Sequence, residues 1–157
     1  MKWIFVSYGS NALKFAFAVA ILAWCISLLL PAVITAGGRS YSGYEVLTQG
    51  FAAVRFGVIA WFANPLLLIA VVSGFAGLYR VGAASAALAG GIALTSFAAE
   101  TTARANGAPL PELSFGSGFF VWIAAIFAIF ATCLLGFRFF LHEPKSVTDA
   151  KPPNSRD

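Results

Sequence analysis

The sequence predicts an all-α protein: a four-transmembrane-helix bundle with a short outer interfacial helix. Three observations predict it. Of 157 residues, 60% are hydrophobic and only 10% charged, with a mean hydropathy of +0.86; soluble domains carry about 25% charged residues. The apolar residues gather into four stretches of the roughly 20 residues that cross a bilayer at about 1.5 Å each. No Asp, Glu, Lys or Arg falls in the middle of any of these stretches.

The four spans read as residues 15–36, 57–79, 81–99 and 118–141, making 1–141 one transmembrane domain. Lys2 and Lys14 precede the first. Its length and the bulky Trp24 favour a retained helix over a cleaved signal peptide. The second and third spans are joined by little more than Tyr79-Arg80-Val81-Gly82, which forces an antiparallel helical hairpin. Arg138 lies near the end of the fourth span, where its long stem lets it snorkel to the interface. Residues 142–157 are polar, carry Pro144, Pro152 and Pro153, and read as a disordered cytoplasmic tail.

Between the first two spans the Gly- and Ser-rich start reads as irregular. From Tyr44 onward, Val46, Leu47, Phe51 and Val54 recur at helical spacing, which gives the short outer surface helix. The second outer loop holds Pro109 and Pro111 and is expected to be extended.

Orientation follows from the ten basic residues. Lys2, Lys14, Arg80, Arg138, Lys145, Lys151 and Arg156 fall on one side; Arg39, Arg55 and Arg104 fall on the other. That asymmetry places both termini in the cytoplasm. It also accounts for the net charge of +4. No Lys/Arg cluster with interleaved aromatics suggests a nucleic-acid partner.

Asn64-Pro65 interrupts the second span. Asn caps helices, and Pro suits a first turn because its missing N–H has no bond to lose there. Either a helix starts at this pair, or a helix continuous from Gly57 kinks at Pro65 and the buried Asn64 amide needs a partner on another helix. A break or sharp kink is the expectation. As a cap, Asn64 has only a structural role; as a polar point in apolar surroundings, it faces a ligand cavity.

Small residues four apart allow helices already in lipid to approach closely. Gly82, Ala86 and Gly90 form one such row; Ala83, Ala87 and Gly91 form its neighbour; Ala124, Ala128, Thr132 and Gly136 form a third. The third span, nearly without bulk, is expected at the centre. Phe119, Phe120, Phe127, Phe130 and Phe137 would then fill gaps or face lipid.

The sequence offers little chemistry. It shows no nucleophile elbow, no Gly-rich phosphate loop and no C-x-x-C, and Cys25 and Cys133 sit in apolar runs. Glu45, Glu100 and Glu112 have no histidine on their side, since His142 lies at the opposite end, so no metal is expected. No cofactor and no enzymatic activity are expected either. Glu100 and Arg104 are spaced to pair along a helix. The candidate ligand-binding residues are Tyr44, Trp61, Asn64, Glu100, Arg104 and Trp122, all on the outer side. The outer aromatics form either an interfacial belt or the floor of a site for a lipid or quinone.

The stretches GYEVLTQGFAAV, AWFANPLLLIA and GSGFFVWIAAIFAI resemble a family of small, uncharacterised bacterial four-span inner-membrane proteins. Its members share Gly-Tyr-x-Val-Leu-x-x-Gly, Trp-x-Ala-Asn-Pro, and a fourth span opening with Gly-aromatic and Trp. The matching positions are Gly43, Tyr44, Gly50, Trp61, Asn64, Pro65, Gly118 and Trp122. The resemblance implies a multi-pass protein of a bacterial inner membrane and carries no implication about activity. The expected partners are the bilayer and either a second copy or another membrane protein. The expected function is a non-enzymatic packing, assembly or partner-binding subunit; the alternative is a transporter-like module binding a lipid or small molecule at the outer leaflet.

Overall fold

The computed structural model describes residues 2–107 and 113–141. Pro109, Pro111 and Glu112, His142, and the proposed tail of 142–157 lie outside the described residues.

Helix α1 runs from Lys2 to Leu29 and is apolar from Asn11 onward. Pro31 stops it, since a proline ring clashes with the preceding turn and has no N–H to donate. The expected first span of 15–36 is therefore corrected at its end: Pro31–Thr35 is a strand, β1. It pairs on one side with β2 (Ser40–Ser42) and on the other with β3 (Leu113–Phe115), both antiparallel. Val33 lies opposite Tyr41 and Phe115, and Ile34 opposite Ser40 and Ser114. The reversal between β1 and β2 uses Gly38 at φ 79°, a left-handed conformation that glycine adopts at little cost. The fold is thus mostly helical with a small sheet, not all-α. The sheet escapes a reading of periodicity because Ala-Val-Ile-Thr after Pro31 looks like the tail of an apolar helix.

Helix α2 (Gly43–Gln49) starts with a reciprocal cap. The Glu45 backbone N–H donates to Ser42 Oγ at 3.3 Å, and the Ser42 backbone N–H donates to Glu45 Oε2 at 2.7 Å. Each satisfies a donor that a helix start otherwise leaves unpaired. The Ser42 backbone bond, with help from its hydroxyl, holds the Glu45 carboxyl below its ordinary pKa. The chain continues as a 3₁₀ turn over Gly50–Phe56 and ends at Gly57, φ 80°. The expected surface helix is therefore present, in two registers of helix rather than one, with Tyr44, Val46 and Phe51 exposed.

A second 3₁₀ turn, Ala60–Phe62, leads into α3 (Ala63–Phe75). The expected span of 57–79 is shortened at both ends, by the left-handed Gly57 and by Gly77 at φ 75°. Helix α4 (Tyr79–Leu94) continues through a 3₁₀ turn, Thr95–Ala98, into α5 (Ala99–Ala105). Helix α6 spans Ser117–Leu141. Three helical stretches are long and apolar enough to cross a membrane: Asn11–Leu29, Tyr79–Thr102 and Ser117–Arg138. The apolar stretch Ala60–Phe75 is shorter.

Helix α6 is the hub, since it packs against α1, α3 and α4, while α4 lies between α3 and α6. The third span thus has an inner place, as expected, but shares it with α6. The small residues act as anticipated where they are buried. Gly82 sits against the Ala70 carbonyl and Cys133 Sγ, Gly74 receives the Phe17 ring, and Gly136 faces the Tyr79 ring. The second row is not used in this way, because Ala87 and Gly91 are exposed. Between these helices lies a core of Leu67, Ala86, Ala89, Ala93, Ile126, Ile129 and Cys133, each 1% exposed or less. Phe119 is buried, whereas Phe120 and Phe127 face outward.

Candidate functional site

The C-terminal end of α1 is gripped by three glycines from elsewhere in the chain. Gly43, Gly116 and Gly118 all press on backbone atoms between Ser27 and Pro31. A Cβ on Gly118 would lie 2.7 Å from the Leu30 oxygen and 2.9 Å from the Ser27 oxygen. The close approach also closes hydrogen bonds: the Gly43 N–H donates to Leu30 O at 3.0 Å, and the Gly116 N–H donates to Ala32 O at 3.0 Å. The first gives a donor to the carbonyl just past the end of α1, and the second extends the pairing along β1. This grip fixes the sheet over one end of the bundle.

Beneath it lies a cavity of about 320 Å³. Its walls come from α1, β1, α2, the two 3₁₀ turns around Gly57, the start of α3, the Thr95–Ala98 turn, α5, β3 and α6. Segments of both expected outer loops therefore fold together around one space. The wall is mainly apolar and strongly aromatic. Phe97, Phe115 and Phe119 touch one another, with the Phe115 and Phe119 rings stacked at 4.0 Å, and Trp122 lies 5.9 Å from Phe119.

The Asn64-Pro65 pair resolves here. Helix α3 starts at Ala63 with Phe62 as its cap residue, so Asn64 sits inside the first turn and is not the cap. The break before the helix is present, as the 3₁₀ turn. The Asn64 carboxamide is spent across the bundle. Trp122 Nε1 donates to Asn64 Oδ1 at 3.0 Å, and Asn64 Nδ2 donates to the Trp61 carbonyl at 3.3 Å. Trp61 in turn donates its Nε1–H to Leu47 O at 2.7 Å, tying α2 to the start of α3. The chain Leu47–Trp61–Asn64–Trp122 thus joins α2, α3 and α6 along the cavity wall.

Of the six candidate residues, Trp61, Asn64, Glu100 and Trp122 line the cavity. Tyr44 and Arg104 are exposed and do not. Arg104 instead forms the expected pair with Glu100, at 2.8 Å, and the second Glu100 oxygen accepts the Leu113 N–H at 3.1 Å. That bond ties α5 to the start of β3. Two lining residues stood out in no sequence pattern: Ser96, 8% exposed, and Phe97. The Ser96 hydroxyl has no hydrogen-bond partner among the described residues. No group of three or more His, Cys, Asp or Glu side chains is placed to hold a metal among the described residues. Compared with protein-family models, curated proteins and solved structures, the chain finds no match.

Proposed function

We propose that this chain is a four-crossing inner-membrane protein whose outer end binds a small apolar molecule drawn from the lipid phase. The cavity is the observation that supports this reading. It is apolar, roofed by a sheet, and lined by four of the six residues singled out beforehand. Pockets with a few placed polar groups among apolar walls are the usual form of small-molecule sites. Four crossings require the short Ala60–Phe75 stretch to span, and the basic residues then set both termini in the cytoplasm. Binding without chemical turnover suits a wall whose polar groups are mostly committed to one another. The resemblance on Trp61, Asn64 and Pro65 to small bacterial membrane proteins is in keeping with this reading.

Topology is read by maleimide labelling on a Cys25→Ala/Cys133→Ala background. Ala36→Cys is expected to react with an impermeant reagent in intact cells, and Ala76→Cys only after lysis. The reverse pattern overturns the orientation.

The site is read by tryptophan fluorescence. The chain has four tryptophans, and Trp3→Phe/Trp24→Phe leaves only Trp61 and Trp122, both on the cavity wall. Bromododecane added to nanodiscs holding this protein is expected to quench the emission with a saturable phase. Filling the space with Ala99→Leu should remove that phase. Quenching that rises in proportion to probe in both proteins means ordinary partitioning into lipid, and no site.

A further inference from the structure

We infer that the ligand of this cavity is a quinone, a neutral flat ring carrying carbonyl oxygens on opposite edges. The inference rests on the cavity reading above and narrows it. Charge argues first. Glu100 is the only charged side chain on the wall among the described residues. One of its oxygens pairs with Arg104 and the other accepts the Leu113 N–H. A cation finds no free counter-charge there, and an anion meets a carboxylate, so the occupant is neutral.

Shape argues second. Trp61, Phe97, Phe115, Phe119 and Trp122 all contribute to the wall. Aromatic faces and edges favour another ring over a saturated chain. A cavity of about 320 Å³ has room for one ring and the first part of a tail, not a whole lipid.

The polar atoms argue third. The indole N–H groups of Trp61 and Trp122 are already donated, to Leu47 O and Asn64 Oδ1. Two donors remain: the second hydrogen of Asn64 Nδ2, and the hydroxyl of Ser96, a cavity-lining residue whose hydroxyl makes no hydrogen bond among the described residues. Donors on an otherwise apolar wall call for acceptors. These two stand on separate elements, α3 and the turn after α4, as a ring with carbonyls at both edges requires.

The test uses the same Trp3→Phe/Trp24→Phe protein in nanodiscs of neutral phospholipid, with decyl-benzoquinone and bromododecane as parallel probes. Both are expected to quench with a saturable phase. Ser96→Ala should weaken the quinone about fivefold, the loss of one neutral hydrogen bond, and leave bromododecane unchanged. If bromododecane saturates but the quinone does not, or if Ser96→Ala leaves quinone affinity intact, the quinone assignment falls while the apolar site stands. If neither probe saturates, both fall together.

Discussion

Replacing Gly118 by alanine should unfold this protein more readily by about 3 kcal/mol, the upper part of the usual cost of overpacking. On propensity alone the sign is opposite, since alanine in a helix is better than glycine by about 1 kcal/mol. The clash decides it. The new methyl meets the Ser27 carbonyl oxygen in α1 and the Leu30 carbonyl oxygen just past its end, and these are backbone atoms that no rotamer change moves aside. Gly91→Ala supplies the contrast. It lies in α4, is exposed, and its Cβ would have nothing within 4 Å, so it should stabilise by about 0.5–1 kcal/mol. Denaturation in mixed micelles, followed by helical circular dichroism, reads both. Equal, small effects at the two positions would mean that the grip on α1 contributes nothing to stability.

The second large effect is expected at Asn64. Asn64→Leu leaves the Trp122 N–H without its acceptor in a partly buried place and removes the link to the Trp61 carbonyl. The expected loss is about 2 kcal/mol. Trp122→Phe removes the donor as well as the larger ring. A double-mutant cycle between the two isolates the shared hydrogen bond, with an expected coupling of about 1 kcal/mol, as for other interhelical bonds in membranes. A coupling of zero would reduce the Asn64–Trp122 bond to a geometric coincidence. The cycle also separates the structural role of Asn64 from ligand binding when it is run without any probe.

What the sequence made legible follows from which signals are local. The apolar stretches and a tight connection announce helices and a hairpin because length and composition suffice for both, but the turn lies at residues 76–78 and the expected connection over 79–82 is already the first turn of α4. The Glu100–Arg104 pair is legible from its spacing alone. Asn64 is conspicuous as an amide among apolar neighbours, but its partner is 58 residues away and nothing near Trp122 points back to it. The sheet was illegible for a related reason. Each strand is three to five residues long, too short for a period of two to show, and β1 and β3 meet only after about half of the chain has intervened. Pro31 was the one available signal, since a proline so far into an apolar run normally closes the helix before it. Tyr44 and Arg104 do not line the cavity, because the sequence pattern places a residue near an end of the bundle but not the direction of its side chain. Ser96 gives no sequence signal at all, because serine is ordinary near a helix end.

The brevity of the Ala60–Phe75 stretch has a consequence for where such a protein can reside. Its sixteen residues measure about 24 Å along the axis, against roughly 30 Å of hydrocarbon in an average bilayer. Neighbouring stretches of the chain are longer, so the mismatch is one-sided. If α3 makes the proposed fourth crossing, lipids beside it must shorten or tilt their acyl chains while those on the far flank stay relaxed. Membranes rich in short or unsaturated acyl chains should therefore hold this protein at lower cost than thick, ordered ones.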